Sequence, residues 1–329
     1  MDKPNSSFYV TRRSLFAGLS ASALLIGQPA LAQTTGQTSV VATTGMIADA
    51  VRRVGGDLVS VKALMGAGVD PHAYRQTRSD IVAMTRADLV FWHGLYLEAQ
   101  MESFFEDLSR KGRVVPIAEG LPKDQLLSHA DYDGRYDPHV WMDPVLWREV
   151  VTAVTSELSV LRPGDAKAFR ANSQAFASEL DDLAEYARTS LAKVPKEKRV
   201  LLTAHDAFSY FGRAYDFEVI GIQGISTESE AGLNRISELV DVLVSRDIGA
   251  VFVETSVSDR NMRALIEGAA AQGHMVSIGG ALFSDAMGAD GTYEGTYLGM
   301  IDHNVTTIAR ALGADVPEGG RLGKLAAGS

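Results

Sequence analysis

Residues 163–195 read PGDAKAFRANSQAFASELDDLAEYARTSLAKVP. Phe169, Phe176, Leu180, Leu183, Ala187 and Leu191 recur at spacings of 7, 4, 3, 4 and 4, which is one apolar stripe along a helix. Pro163 falls where a first helical turn tolerates proline, and no further proline interrupts the run before Pro195. Roughly 30 residues rising ~1.5 Å each make a rod about 45 Å long. This rod separates two series of short apolar strands alternating with helices. The arrangement predicts an α/β fold in which two Rossmann-like parallel-sheet lobes are joined by one long rigid helix.

Working outward, the first lobe (38–162) shows predicted strands at 39–43, 59–64, 89–92 and 113–117, with helices at 46–54, 79–87 and 97–108. The stretch between Ile117 and Pro163 yields a motif but no assigned element. The second lobe (196–313) restarts the pattern with strands at 200–204, 218–222, 250–254 and 275–278. Its helices are predicted at 208–215, 231–245, 259–272 and 293–312. Residues 314–329 are rich in glycine and polar side chains and read as a flexible tail.

The 329 residues are 46% hydrophobic and 22% charged, a composition of globular chains that excludes a multi-span membrane protein. The net charge is −10, and residues 1–32, with Asp2, Lys3, Arg12 and Arg13, carry +2 of it, leaving −12 on the rest. So acidic a surface disfavours nucleic acid as a partner. The absence of cysteine excludes disulfides, thiolate metal sites, thiol catalysis and a lipid-bearing N-terminal Cys. The N-terminus reads Thr11-Arg12-Arg13-Ser14-Leu15-Phe16, then an apolar stretch to about residue 26, then Ala30-Leu31-Ala32. This is a signal peptide, residues 1–32, of the twin-arginine type. The mature chain is expected to begin near Gln33 and to be a soluble periplasmic protein without a lipid anchor.

Chemistry concentrates in four places. His72 lies in Asp70-Pro71-His72 and His139 in Asp137-Pro138-His139, so one half of the chain presents the same tripeptide twice. Proline fixes the backbone before each imidazole and limits the entropy lost on capturing a ligand. His205 directly follows the apolar strand 200–204, at the carboxyl end where open α/β sheets bind ligands. Asp285 sits in Gly279-Gly280-Ala281-Leu282-Phe283-Ser284-Asp285, a loop after the last strand. Each alone reads equally well as a surface polar residue or a turn or helix cap. Together they point to a metal site in the cleft between the lobes.

The stretches Thr43–Val51 and Leu64–His72 resemble the first lobe of the zinc- and manganese-binding solute receptors of bacterial ABC importers, of the TroA type. Residues 137–144, 203–208, 279–288 and 294–297 are similar to that family's other signatures, in the same order. The resemblance spans about Val40 to Leu312, nearly the whole mature chain. It implies two α/β lobes on a single rigid helix and one Zn²⁺ or Mn²⁺ ion as transported ligand, held by His72, His139, His205 and Asp285. It also implies a cognate ABC permease in the inner membrane as partner of a monomeric receptor. Some manganese-specific relatives carry Glu where this chain has His205. Zinc-specific relatives often carry a His-rich loop, where residues 121–136 offer only His129, with Asp131 and Asp133 nearby. Three imidazoles and a carboxylate suit Zn²⁺, and a bidentate Asp285 would accommodate Mn²⁺.

The alternatives are a periplasmic zinc chaperone, or a metallohydrolase with Asp285 as general base. Catalytic zinc keeps three protein ligands and an open position for water, whereas four candidates fill a tetrahedron. The sequence also lacks a Gly-x-Ser-x-Gly elbow, a His-Glu-x-x-His helix and a phosphate-cradling glycine loop. The reading is therefore a binding protein, not an enzyme. Of the other histidines, His93 is a candidate support for the site and His129 a candidate for metal capture. His274 and His303 read as surface or packing residues, and Trp141 and Phe283 as dry walls of the site.

Overall fold

β1 (Thr38–Ala42) is the centre of the first half. It pairs in parallel with β2 (Val59–Ala63) on one side and β3 (Leu89–Trp92) on the other, and β4 (Val114–Pro116) extends the sheet to the order β2-β1-β3-β4. Val40, Val41 and Ala42 are buried on both faces of this sheet, which explains an uninterrupted apolar run in place of alternation. The crossovers are α1 (Gly45–Gly55), α2 (Arg78–Arg86) and α3 (Glu102–Ser109). Thr44 caps α1 through Ile47 N, and Thr77 and Asp80 form a reciprocal capping box on α2. The computed structural model describes residues 1, 36–128, 134–229 and 231–326. Apart from Met1, the signal-peptide reading lies outside the described residues, as do His129, Asp131 and Asp133.

Two long helices follow. α4 (Pro144–Leu161) has 18 residues and starts on a strong signal, Asp143 accepting from Val145 N and Leu146 N with Pro144 in the first turn. No helix was predicted there, because its interior carries Val150, Val151, Thr152, Val154 and Thr155. Such β-branched residues weaken helical propensity and mimic a buried strand. α5 (Ala166–Leu191) is the rod read from the sequence, 26 residues after a 3-10 turn at Pro163–Asp165, or about 39 Å at ~1.5 Å per residue. Phe169, Phe176, Leu180, Leu183, Ala187 and Leu191 are buried, as the stripe predicts. The helix packs on α1 and α4 of the first half and on the last helix of the second.

The second half contains β5 (Val200–His205), α6 (Ser209–Tyr215), β6 (Glu218–Gln223), α7 (Leu233–Ser245), β7 (Ala250–Glu254), α8 (Arg260–Ala271), β8 (Ser277–Leu282) and α9 (Tyr297–Ala311). The strands form parallel pairs β5-β6 and β7-β8, with β5 beside β7. β8 runs later than the predicted 275–278. Gly279 and Gly280 are strand residues, Gly280 at φ 152° next to an irregularity in the β7 register. A glycine pair in the sequence signals a loop, but here only a residue without a side chain fits against Phe252 and Thr307. Residues of the Gly-rich tail pack back on the fold: Leu325 is buried and Arg321 N donates to both carboxylate oxygens of Asp302 on α9.

One apolar core runs through both halves, including Val40, Met46 and Phe91 from the first, Leu180 from α5, and Phe211, Tyr297 and Ile301 from the second. Polar contacts accompany it. Trp141 Nε1 donates to Ser284 O at 2.8 Å, Tyr297 OH to Trp141 O at 2.7 Å, and Tyr210 OH to Asp137 O at 2.8 Å.

Candidate metal centre

The two Asp-Pro-His tripeptides fold the same way. Asp70 Oδ1 accepts from His72 N at 2.8 Å and Asp137 Oδ1 from His139 N at 2.9 Å, so each aspartate closes a turn that throws the following imidazole inward. His205 ends β5, paired with Gln223 of β6, and Asp285 stands three residues beyond the end of β8. The candidate residues thus come from loops of the first half and from strand ends of the second. All four are buried.

The donor atoms of these residues lie within 4.8 Å of one another. His72 Nε2 is 3.3 Å from His139 Nε2, which is 3.4 Å from Asp285 Oδ1. His205 Nε2 lies 3.1 Å, and His72 Nε2 4.0 Å, from Asp285 Oδ2. A tetrahedron with bonds of about 2.0–2.1 Å to zinc has edges of about 3.3–3.4 Å. The cluster already has that scale. His205 Nε2 and both oxygens of Asp285 are buried and have no hydrogen-bond partner, a costly state for polar atoms unless a cation takes them. The donor set fits one divalent ion, and the two inward oxygens of Asp285 allow four or five bonds.

The electrostatics are divided. Burial pushes the His72 imidazole down to about 3 against the pull of Asp285. Burial also opposes charge on His139, but the carboxylates of Asp137 and Asp285 outweigh it and raise the group to about 9. His205 is likewise raised well above its ordinary value by Asp285 and Glu254, despite complete burial. Asp285 is held well below the usual carboxylate range by His205 and His139, again against burial.

Around the cluster, Trp141 is fully buried with its ring 5.2 Å from that of His139, which makes it a dry wall as expected. Phe283 is only partly buried and rests on His303 at 4.7 Å. His93 is completely buried and its Nε2 makes a 2.7 Å hydrogen bond with Pro138 O, bracing the turn before His139. His303 Nε2 bonds Ala281 O and His274 Nε2 bonds Ile248 O, each at 2.8 Å, which are packing roles. Glu254 ends β7. It is buried against His205, and nothing in its local sequence marks it.

A family model described as zinc-uptake complex component A, periplasmic, matches residues 40–311. The chain is 47% identical over 268 residues to the zinc-binding protein TroA of Treponema pallidum, covering 82% of this chain and 86% of that protein. It is 45% identical over 266 residues to the manganese-binding lipoprotein MntA of Bacillus subtilis, covering 81% and 87%. The fold is similar to the solved periplasmic zinc-binding TroA of T. pallidum, with a TM-score of 0.82 at 46% identity over 84% of this chain and 99% of that one. It is also similar to Fe(III)-bound YtgA of Chlamydia trachomatis, with a TM-score of 0.75 at 28% identity over 86% and 100%. Family members are metal-binding transport proteins of the periplasm or cell exterior, and among the described residues no helix is long and apolar enough to cross a membrane. With more than four-fifths of its length matched by such relatives, and a buried three-histidine, one-aspartate cluster between two parallel α/β halves, this chain belongs to the ZnuA family of metal-binding ABC solute receptors.

Proposed function

We propose that the protein captures one Zn²⁺ or Mn²⁺ ion between His72, His139, His205 and Asp285 and delivers it to an ABC permease in the inner membrane. The observation that carries this reading is the buried cluster of four donor residues contributed by both halves of the chain, in which the Nε2 of His205 and both oxygens of Asp285 have no hydrogen-bond partner. The lobes run over 38–162 and 196–313, with 163–195 as the bridge between them. Export uses the twin-arginine signal in residues 1–32. In this reading the receptor works as a periplasmic monomer with no nucleic-acid partner. It is not an enzyme: four donors around one ion bind and orient it but leave no position for an activated water.

Competition titration with a chromogenic chelator tests the site. Wild type should bind one zinc per chain, and alanine at each of the four positions should weaken binding at least tenfold. Full affinity in His205→Ala would remove the second half's imidazole from the site. Replacing Arg12 and Arg13 with lysine should strand the precursor in the cytoplasm, whereas a normal soluble periplasmic yield would point to the general secretory route.

A further inference from the structure

His139 and His205 face each other across the cleft, and each has a buried carboxylate at the far nitrogen of its ring. Asp137 Oδ1 bonds His139 Nδ1 at 2.7 Å, and Glu254 Oε2 stands 2.6 Å from His205 Nδ1. Both carboxylates are buried, with 2% and 5% of their surface exposed. Each also holds the backbone N–H of its own histidine, Asp137 Oδ1 at 2.9 Å and Glu254 Oε1 at 2.9 Å.

The two differ in how many oxygens they use. Asp137 receives the backbone N–H and the ring nitrogen on one atom, Oδ1, while its Oδ2 is buried without a partner. Glu254 places one oxygen at each group: Oε1 accepts from the backbone N–H, and Oε2 lies 2.6 Å from Nδ1 in a charge contact outside hydrogen-bond geometry, so that only the ring's proton and a small rotation are needed to close it. Glu254 also comes from β7, 49 residues away in sequence, so it couples the end of one strand to the ligand at the end of the next.

We propose that Asp137 and Glu254 are positioning residues that fix the Nδ1–H tautomer of His139 and His205, so that both Nε2 lone pairs face the ion, and that only Glu254 needs both of its oxygens to do so. This rests on the metal-receptor reading above. A neutral imidazole offers one lone pair, and the acceptor placed at one nitrogen decides which nitrogen carries it.

The oxygen count separates two isosteric substitutions. In Glu254→Gln the backbone N–H of His205 can only donate, so the single amide oxygen must stay with it. The amide NH₂ then faces Nδ1, and the ring must carry its proton on Nε2, pointing at the ion. In Asp137→Asn the one carbonyl oxygen still accepts both the backbone N–H and Nδ1–H, and the new NH₂ falls where Oδ2 had no partner. That substitution removes a charge and costs folding stability but keeps the tautomer.

The experiment combines zinc competition titration with nitrogen-15 NMR of the histidine rings in the zinc-loaded full mature chain. Wild type should show His139 and His205 bound through Nε2, each with a slowly exchanging Nδ1–H. Glu254→Gln should weaken zinc binding by about 10–100-fold, the usual cost of losing such an outer partner. Asp137→Asn should lose less than tenfold and retain the His139 Nδ1–H signal. Equal losses in the two variants, or wild-type coordination of His205 through Nδ1, would overturn the proposal. The wild-type spectrum decides this even if Glu254→Gln does not fold. Failure of wild type to bind zinc would instead strike the receptor reading itself.

Discussion

His72 and His139 bring their Nε2 atoms within 3.3 Å of each other and answer burial in opposite ways. The first is pushed down to about 3, because burial outweighs Asp285, and the second is raised to about 9, because Asp137 and Asp285 outweigh burial. His205 follows His139 upward. Near neutral pH the metal-free cluster therefore holds protons on His139 and His205, and an incoming ion must displace them. A histidine whose folded value is raised adds stability that is fully present below its unfolded value near 6.5. That stability is lost as pH rises through the folded value. Between about pH 6.5 and pH 9 the metal-free protein should thus lose stability, and the competing proton should leave. At chelator-buffered free zinc, the dissociation constant should tighten across that window by up to about tenfold per pH unit for each proton released. A constant affinity from pH 6.5 to 9 would show that the histidines are already neutral. From the sequence alone, with ordinary imidazoles, proton competition would begin only below about pH 6.5. The carboxylates that move it upward include Glu254, which is invisible to a reading along the chain. His72, His139, His205 and Asp285 announce themselves through proline turns and strand ends. Glu254 becomes a partner of His205 only because β7 lies beside β5.

At the scale of elements, the rod α5 was legible because an apolar stripe with good helix formers around it has one interpretation. α4 was not, although it is the helix that packs most extensively on α5 and its start leads directly back to His139. Its start signal, Asp143-Pro144, marks a helix, but the valines and threonines behind it favour a strand. Tertiary burial of Val150, Val151 and Val154 overrides that local preference. If the cap fixes where α4 begins, Asp143→Ala should lower unfolding stability by about 1 kcal/mol, the ordinary cost of removing such a cap. Urea unfolding monitored by circular dichroism would measure it, and zinc stoichiometry should stay at one per chain. An unchanged midpoint would mean that packing alone, including the buried Trp147, sets the start of the helix. The same logic explains β8. The pattern of apolar residues ended at Ile278, and only the close approach of Phe252 and Thr307 makes the following glycines strand residues.

For the molecule as a whole, the question is how far the halves move when metal arrives. Binding proteins with hinged domains close around their ligands, but here three features oppose such motion. α5 is a continuous 26-residue helix without internal glycine or proline, packed on elements of both halves. The apolar core is shared, so rotating the halves apart would expose side chains such as Trp141 and Tyr297. Each large apolar side chain uncovered costs about 1.5–3 kcal/mol. Finally, direct hydrogen bonds cross between the halves, from Trp141 to Ser284 O, from Tyr297 OH to Trp141 O and from Tyr297 N to Asp49. A ligand shifts a conformational equilibrium only by its differential affinity for the two states. Zinc at one hundred times its dissociation constant supplies about 2.7 kcal/mol of stabilisation, comparable to the burial of a single such ring. Opening would let water reach the unpartnered atoms of His205 and Asp285, but it would also give up the attraction between the raised imidazoles and Asp285. Solution scattering of the mature chain with and without zinc should therefore give radii of gyration that agree within about 1 Å. The change on binding should be confined to the loops that carry His72 and Asp285. A compaction of several ångströms would mean that the shared core parts in the metal-free state, and α5 would then act as a hinge and not as a strut.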